Sequence, residues 1–126
     1  MKTSHPHIMI ITAAALLFTT SCSSNFSWIA VEKGRSDALA DLRAGKLVTE
    51  TAGLPMPSED IYQQLLLQRY GVEQRRVADC IVDRRILSHA RGYNEIMMAE
   101  IKKRFGPDVF DRTLTKAAGV SRQESR

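Results

Sequence analysis

Apolar side chains recur at spacings of three and four through Ile86, Leu87, Ala90, Tyr93, Met97, Ile101 and Phe105, the spacing that gathers one face of a helix. Asp83 stands where it can cap this long C-terminal helix, and "FGPD" at 105–108 stops it. Gly92 falls inside the pattern at a cost of about 1 kcal/mol relative to alanine, so a kink or a close packing contact is expected there.

The rest of the chain is read from shorter signals. "SDALADLRAG" predicts a short helix capped by Ser36 and closed by Gly45, with Ala38, Leu39 and Leu42 inward. "KLVTET" predicts a strand, and "AGLPMPSED" a loop, since Gly53, Pro55 and Pro57 interrupt any regular element. Ser58 is placed to cap a second helix, with Glu59 and Asp60 at its positive end and Ile61, Leu65 and Leu66 on its apolar face. Gly71 ends that helix. Val72 to Val82 reads as a second strand, and a strand, helix, strand unit can pair its strands in parallel through a right-handed crossover. "DVFDRTLTKAAG" predicts a last helix with Val109, Phe110 and Leu114 inward, and "VSRQESR" a frayed tail. The expected fold is a small α+β domain of about four helices with a short two-stranded sheet.

Upstream of all this lies the run Ile8–Phe18, too short to span a bilayer, which takes about 20 apolar residues. It has the length of a signal-peptide core, preceded by the positive charges of Lys2 and the amino terminus. Thr19, Thr20 and Ser21 then lead directly into Cys22. This segment resembles the lipobox of bacterial lipoproteins. Thr20 and Ser21 match its two small residues, while Thr19 stands where an aliphatic residue is usual. The resemblance covers residues 1–22 and implies cleavage before Cys22, a diacylglyceryl group on its sulfur and an acylated new amino terminus (a palmitate-type anchor). With two or more chains such an anchor is stable. No Asp follows at 23, so the implied site is the outer membrane, facing the periplasm. Residues 1–21 are thus expected to be removed, 22–35 to form a lipidated tether, 36–119 the domain and 120–126 a flexible tail. The aromatic pair Phe26 and Trp28, close to the anchor, is expected at the membrane interface, the alternative being that Trp28 and Ile29 pack on the domain.

A hydrophobic fraction of 44% with 25% charged residues is that of a globular fold rather than a disordered chain. The net charge of +4 is mildly basic and short of a nucleic-acid signature. Lipidation of Cys22 leaves Cys80 as the one free thiol, and its neighbours Val77, Ala78, Ile81 and Val82 predict burial.

Candidate chemistry is sparse. Arg69, Arg75, Arg76, Arg84, Arg85 and Arg91 cluster, which reads first as a solvated face paired with Glu73, Asp79 and Asp83. The second reading is an anion-binding surface built by Arg75, Arg76, Arg84 and Arg85, because guanidinium forks match phosphate and carboxylate groups. Aromatic residues are too few nearby for a nucleic-acid stripe. Cys80 and His89 are the one nucleophile and base pair, with Asp79 or Asp83 as orienters, although a lone helical histidine is more often a surface or satisfied group. Asn94 is placed at the helix edge. Neither a phosphate-binding loop nor clustered metal ligands occur, so no cofactor or metal is implied. The expectation is a lipid-anchored envelope protein that binds or supports, its partners being the membrane through Cys22 and either anionic envelope groups or another envelope protein, not nucleic acid. The alternative is a small thiol enzyme or hydrolase using Cys80 and His89.

Overall fold

The structure, a computed structural model, describes residues 25–124. Cys22, the apolar run before it and the last two residues lie outside the described part. Six elements follow in order: α1 (Asn25–Arg43), β1 (Leu47–Ala52), α2 (Glu59–Tyr70), β2 (Val72–Ala78), α3 (Arg84–Phe105) and α4 (Val109–Glu124). This is a small α+β domain of four helices and one two-stranded sheet.

The two strands pair in parallel, in register from Leu47 opposite Val72 to Thr51 opposite Arg76, with an irregularity before Ala52 meets Ala78. Side chains alternate across a strand. Glu50 and Arg75 therefore face one side, towards α1 and α3, while Thr51, Gln74 and Arg76 face the other, towards α2 and α4. A parallel sheet covered on both faces by helices is the arrangement such sheets require. Leu66, Val72, Tyr93, Met97, Ile101 and Val109 are the largest fully buried side chains. They come from α2, β2, α3 and α4.

α1 and α3 run parallel in close contact. Ser27 meets Ser88 (Oγ to Oγ, 2.8 Å), and further along Arg35 donates to Glu95 Oε2 at 2.7 Å, so partners keep a nearly constant offset. Between those points a Cβ on Gly92 would collide with the Val31 carbonyl, and one on Gly34 with the His89 carbonyl. The contact expected at Gly92 is thus a crossing of helix backbones, to which α1 contributes a glycine of its own.

Several local expectations are corrected. Residues 25–35 are helical, not a tether, and α1 passes through Ser36 without a break. The Ser-Asp signal that reads as a cap is overridden because Asp37 is held mid-helix by Lys33 one turn back and by His89 of α3. Of its inward set, Ala38 is buried but Leu39 is exposed. Gly45, with φ 76°, does close that segment. Ser58 precedes α2 as expected, yet in a left-handed conformation and without a side-chain cap; its hydroxyl donates to Pro57. Glu59 instead reaches back to accept from the Met56 N–H at 2.8 Å. Asp83 does cap α3, accepting from the Arg85 N–H at 2.7 Å. The helix face is as expected through Ala90, Tyr93, Met97 and Ile101, but Leu87 is exposed. α4 continues to Glu124 where a frayed tail was expected, and it buries the stripe Val109, Thr113 and Ala117 at spacings of four, which leaves Leu114 outward.

Candidate functional site

A sheet covered on both sides is ordinarily lined with valine and isoleucine. Here its face towards α1 and α3 carries an acid and a base directly opposite each other, Glu50 on β1 and Arg75 on β2. The Glu50 side chain is 3% exposed. An isolated carboxylate at that depth is costly, so it must be paired and hydrogen-bonded. Arg75 donates to Glu50 Oε1 at 2.8 Å, and His89 Nδ1 lies 3.0 Å from Oε2. The backbone of the same residue is held as well: the Glu50 N–H donates to Asn94 Oδ1 at 2.8 Å, and Asn94 Nδ2 donates to the Glu50 carbonyl at 2.7 Å. Asn94 is therefore not at an idle helix edge. Its amide takes the place of a neighbouring strand and docks the sheet edge onto α3.

The network continues into α1. The other ring nitrogen of His89, Nε2, lies 3.0 Å from Asp37 Oδ2. An imidazole with N–H groups on both nitrogens donates to both carboxylates, while a singly protonated ring can donate to one. Hydrogen bonding from His89 and then from Lys33 holds the Asp37 carboxyl below its ordinary value, against the upward pull of burial. Below His89 its ring stacks on Tyr93 with centroids 6.1 Å apart, and the Arg75 guanidinium lies 5.2 Å over the same phenol ring. Tyr93 donates to Asp41 Oδ2 at 2.7 Å. Burial, followed by that hydrogen bond to Asp41, pushes the Tyr93 hydroxyl far above its usual range. Burial would lower the Arg75 value, but the hydrogen bond to Glu50 together with the charges of Tyr93, Glu50 and Asp41 outweighs this and raises it.

Beside this network opens a cleft of about 530 Å³ between the start of α1 and the start of α3, with Glu50 and His89 on its wall and Ile29, Lys33, Arg85 and Ile86 around them. A second cleft of about 320 Å³ lies on the other sheet face between Leu54, Met56, Tyr62 and Leu114. Thr51 Oγ1 and Gln74 Oε1, on that side, are buried without a hydrogen-bond partner. Arg76 closes its edge through Glu59 and the Gly53 carbonyl. Burial alone would raise the Glu59 carboxyl, but the Met56 N–H and Arg76 bring it below its ordinary value.

The four arginines of the expected anion surface are thus divided. Arg75 and Arg76 point to opposite faces of the sheet and are taken by Glu50 and Glu59, acids brought from elsewhere rather than the sequence neighbours Glu73 and Asp83. Asp79 touches Arg76 only at 3.8 Å. Arg84 and Arg85 begin α3 and are exposed. Cys80 is exposed as well, which corrects the expectation of burial. β2 ends at Ala78 because its partner strand ends at Ala52, and residues 79–81 bend out past the sheet. His89 meets carboxylates at both nitrogens and is not brought to the thiol. Asp37, Asp41, Glu50 and Tyr93 were not expected as a cluster. The one signal for it was Glu50 itself, which alternation places on the same face as the apolar Val48.

No protein-family model, no curated protein and no solved structure matches the chain. Among the described residues, no helix is long and apolar enough to cross a membrane, and no group of His, Cys, Asp and Glu is placed to hold a metal ion.

Proposed function

We propose that this chain is a lipid-anchored protein of a bacterial envelope, held through Cys22 at the periplasmic side of the outer membrane, and that its domain binds or supports a partner rather than turning over a substrate. The anchor rests on the apolar run and on Thr20, Ser21 and Cys22. The observation that carries the binding reading is His89: with Glu50 on one nitrogen and Asp37 on the other, the ring has no free nitrogen with which to activate Cys80. The acids and bases around it are spent on each other, which makes the cluster a brace for the sheet beside an open cleft. Replacing Cys22 by Ser tests the anchor. The variant is expected to leave the membrane fraction or to remain uncleaved, and a variant processed and membrane-bound like wild type would overturn the reading.

A further inference from the structure

We infer that the domain lies against the bilayer on one particular face, the end formed by the starts of α1 and α3 and the 79–83 turn, and that this face binds anionic lipid. The inference rests on the Cys22 anchor for its setting but on the geometry of the domain for its content. α1 and α3 run parallel, as the Ser27–Ser88 and Arg35–Glu95 contacts show, so both helices begin at the same end of the molecule. That end carries large apolar side chains in solvent: Trp28 is 65% exposed, Ile29 56%, Ile81 90% and Leu87 49%. Ile81 is three residues before α3, and Ile29 shares a cleft with Arg85 and Ile86, which joins the patch across both helices. Soluble surfaces rarely gather such side chains without a partner.

Beside them stand two cations that form no ion pair among the described residues. Arg84 and Arg85 are exposed at the start of α3, while Lys33, one turn beyond Ile29, is paired with Asp37. Of the acids at this end, Asp37 is shared by Lys33 and His89, Glu32 is paired with Arg35 and Asp79 leans towards Arg76, while Asp83 accepts only the backbone N–H of Arg85 and keeps its charge. Arginine at the first turn of a helix is opposed by the helix dipole, so two in succession there gain nothing for the helix and present their charge outward. Covalent reach supplies the occupant. Three peptide links separate Cys22 from Asn25, a span of at most about 11 Å. A lipid on Cys22 therefore holds the first turn of α1, and with it Trp28, at the level of the headgroups, where an indole ring is favoured. Basic residues near an anionic surface are attracted to it, and an apolar patch beside them adds insertion.

Trp28 is the one tryptophan of the chain and so reports on this face directly. The probe is vesicles of zwitterionic lipid with and without a third of anionic phospholipid, added at low salt to the domain from Ser23 onward, which holds the whole core described above. The Trp28 emission is expected to shift to the blue with the anionic vesicles. Replacing Arg84 and Arg85 together by Ser is expected to weaken binding by roughly 5-fold per arginine, from about 1 kcal/mol for each basic group near the surface. Circular dichroism must show both proteins equally helical. Removing the same charge from the other end of α3, with Lys102→Ser and Lys103→Ser, is expected to change affinity less than about twofold, since about 27 Å of helix separates those residues from Arg84 and Arg85. A Trp28 emission indifferent to anionic vesicles, or equal losses from the two double variants, would overturn the inference. A domain that responds as expected while Cys22 in cells carries no lipid would instead count against the anchor alone.

Discussion

Gly92 of α3 presses its α-carbon against the Val31 carbonyl of α1, leaving no room for even a methyl group. The neighbour is backbone and cannot rotate away. Gly92→Ala is therefore expected to force α1 and α3 apart and to destabilise the domain by about 1–3 kcal/mol or more, despite the better helix propensity of alanine. Gly119, in α4, has open space around it, so Gly119→Ala is expected to stabilise by about 0.5–1 kcal/mol. Thermal or urea unfolding of the two variants checks the pair, and equal effects would mean that the helix crossing is misplaced.

Glu50 is the group on which the polar cluster turns. Removing one partner of a fully buried ion pair costs about 3–5 kcal/mol. Arg75 and His89 are partly solvated, so Glu50→Ala is expected to cost less, on the order of 2 kcal/mol. Arg84→Ser, which breaks no ion pair, is expected to stay within about 0.5 kcal/mol of wild type. Urea midpoints at neutral pH compare them.

Asp37 gives the cluster a pH dependence whose sign follows from its shift. Its carboxyl is lowered in the folded protein, first by His89 and then by Lys33. Its stabilising contribution is thus complete above the ordinary aspartate value and is lost as pH falls below that value and through the lower folded one. Asp37→Asn is expected to be less stable than wild type at neutral pH and to converge with it below about pH 4. Denaturation midpoints between pH 3 and pH 7 measure this, and parallel curves would contradict it.

Cys80 is exposed at the turn after β2. It is expected to react with a water-soluble thiol reagent in the folded state without denaturant, since it is exposed. Protection until denaturant is added would restore the buried position that its neighbours suggested.

How far the sequence announced this molecule can be judged element by element. α3 was legible because its burial is regular: Ala90, Tyr93, Met97 and Ile101 follow one face, and Asp83 caps it by the hydrogen bond its position implies. The parallel pairing of β1 and β2 was legible from the helix between them. Of α1 only the second half, up to Gly45, was legible; the first half was not, since its contact with α3 uses Gly34 and small surfaces instead of a stripe of large apolar residues, and Ser36–Asp37 imitates a helix start. The polar cluster was hidden for a different reason. Asp37, Glu50, Arg75 and His89 come from four elements, and no local spacing records that Glu50 will lie opposite Arg75 or that both nitrogens of His89 will be filled. Cys80 misled because apolar neighbours predict burial only while the strand lasts, and β2 stops two residues earlier.

The central claim, that this domain is held to a membrane through Cys22, is tested most directly by the intact mass of the mature protein isolated from a bacterial host. The expected result is a chain beginning at Cys22 and carrying the mass of a diacylglyceryl group, with or without a further acyl chain on its amino terminus. A mature chain with an unmodified Cys22, or one that still retains residues 1–21, would contradict it.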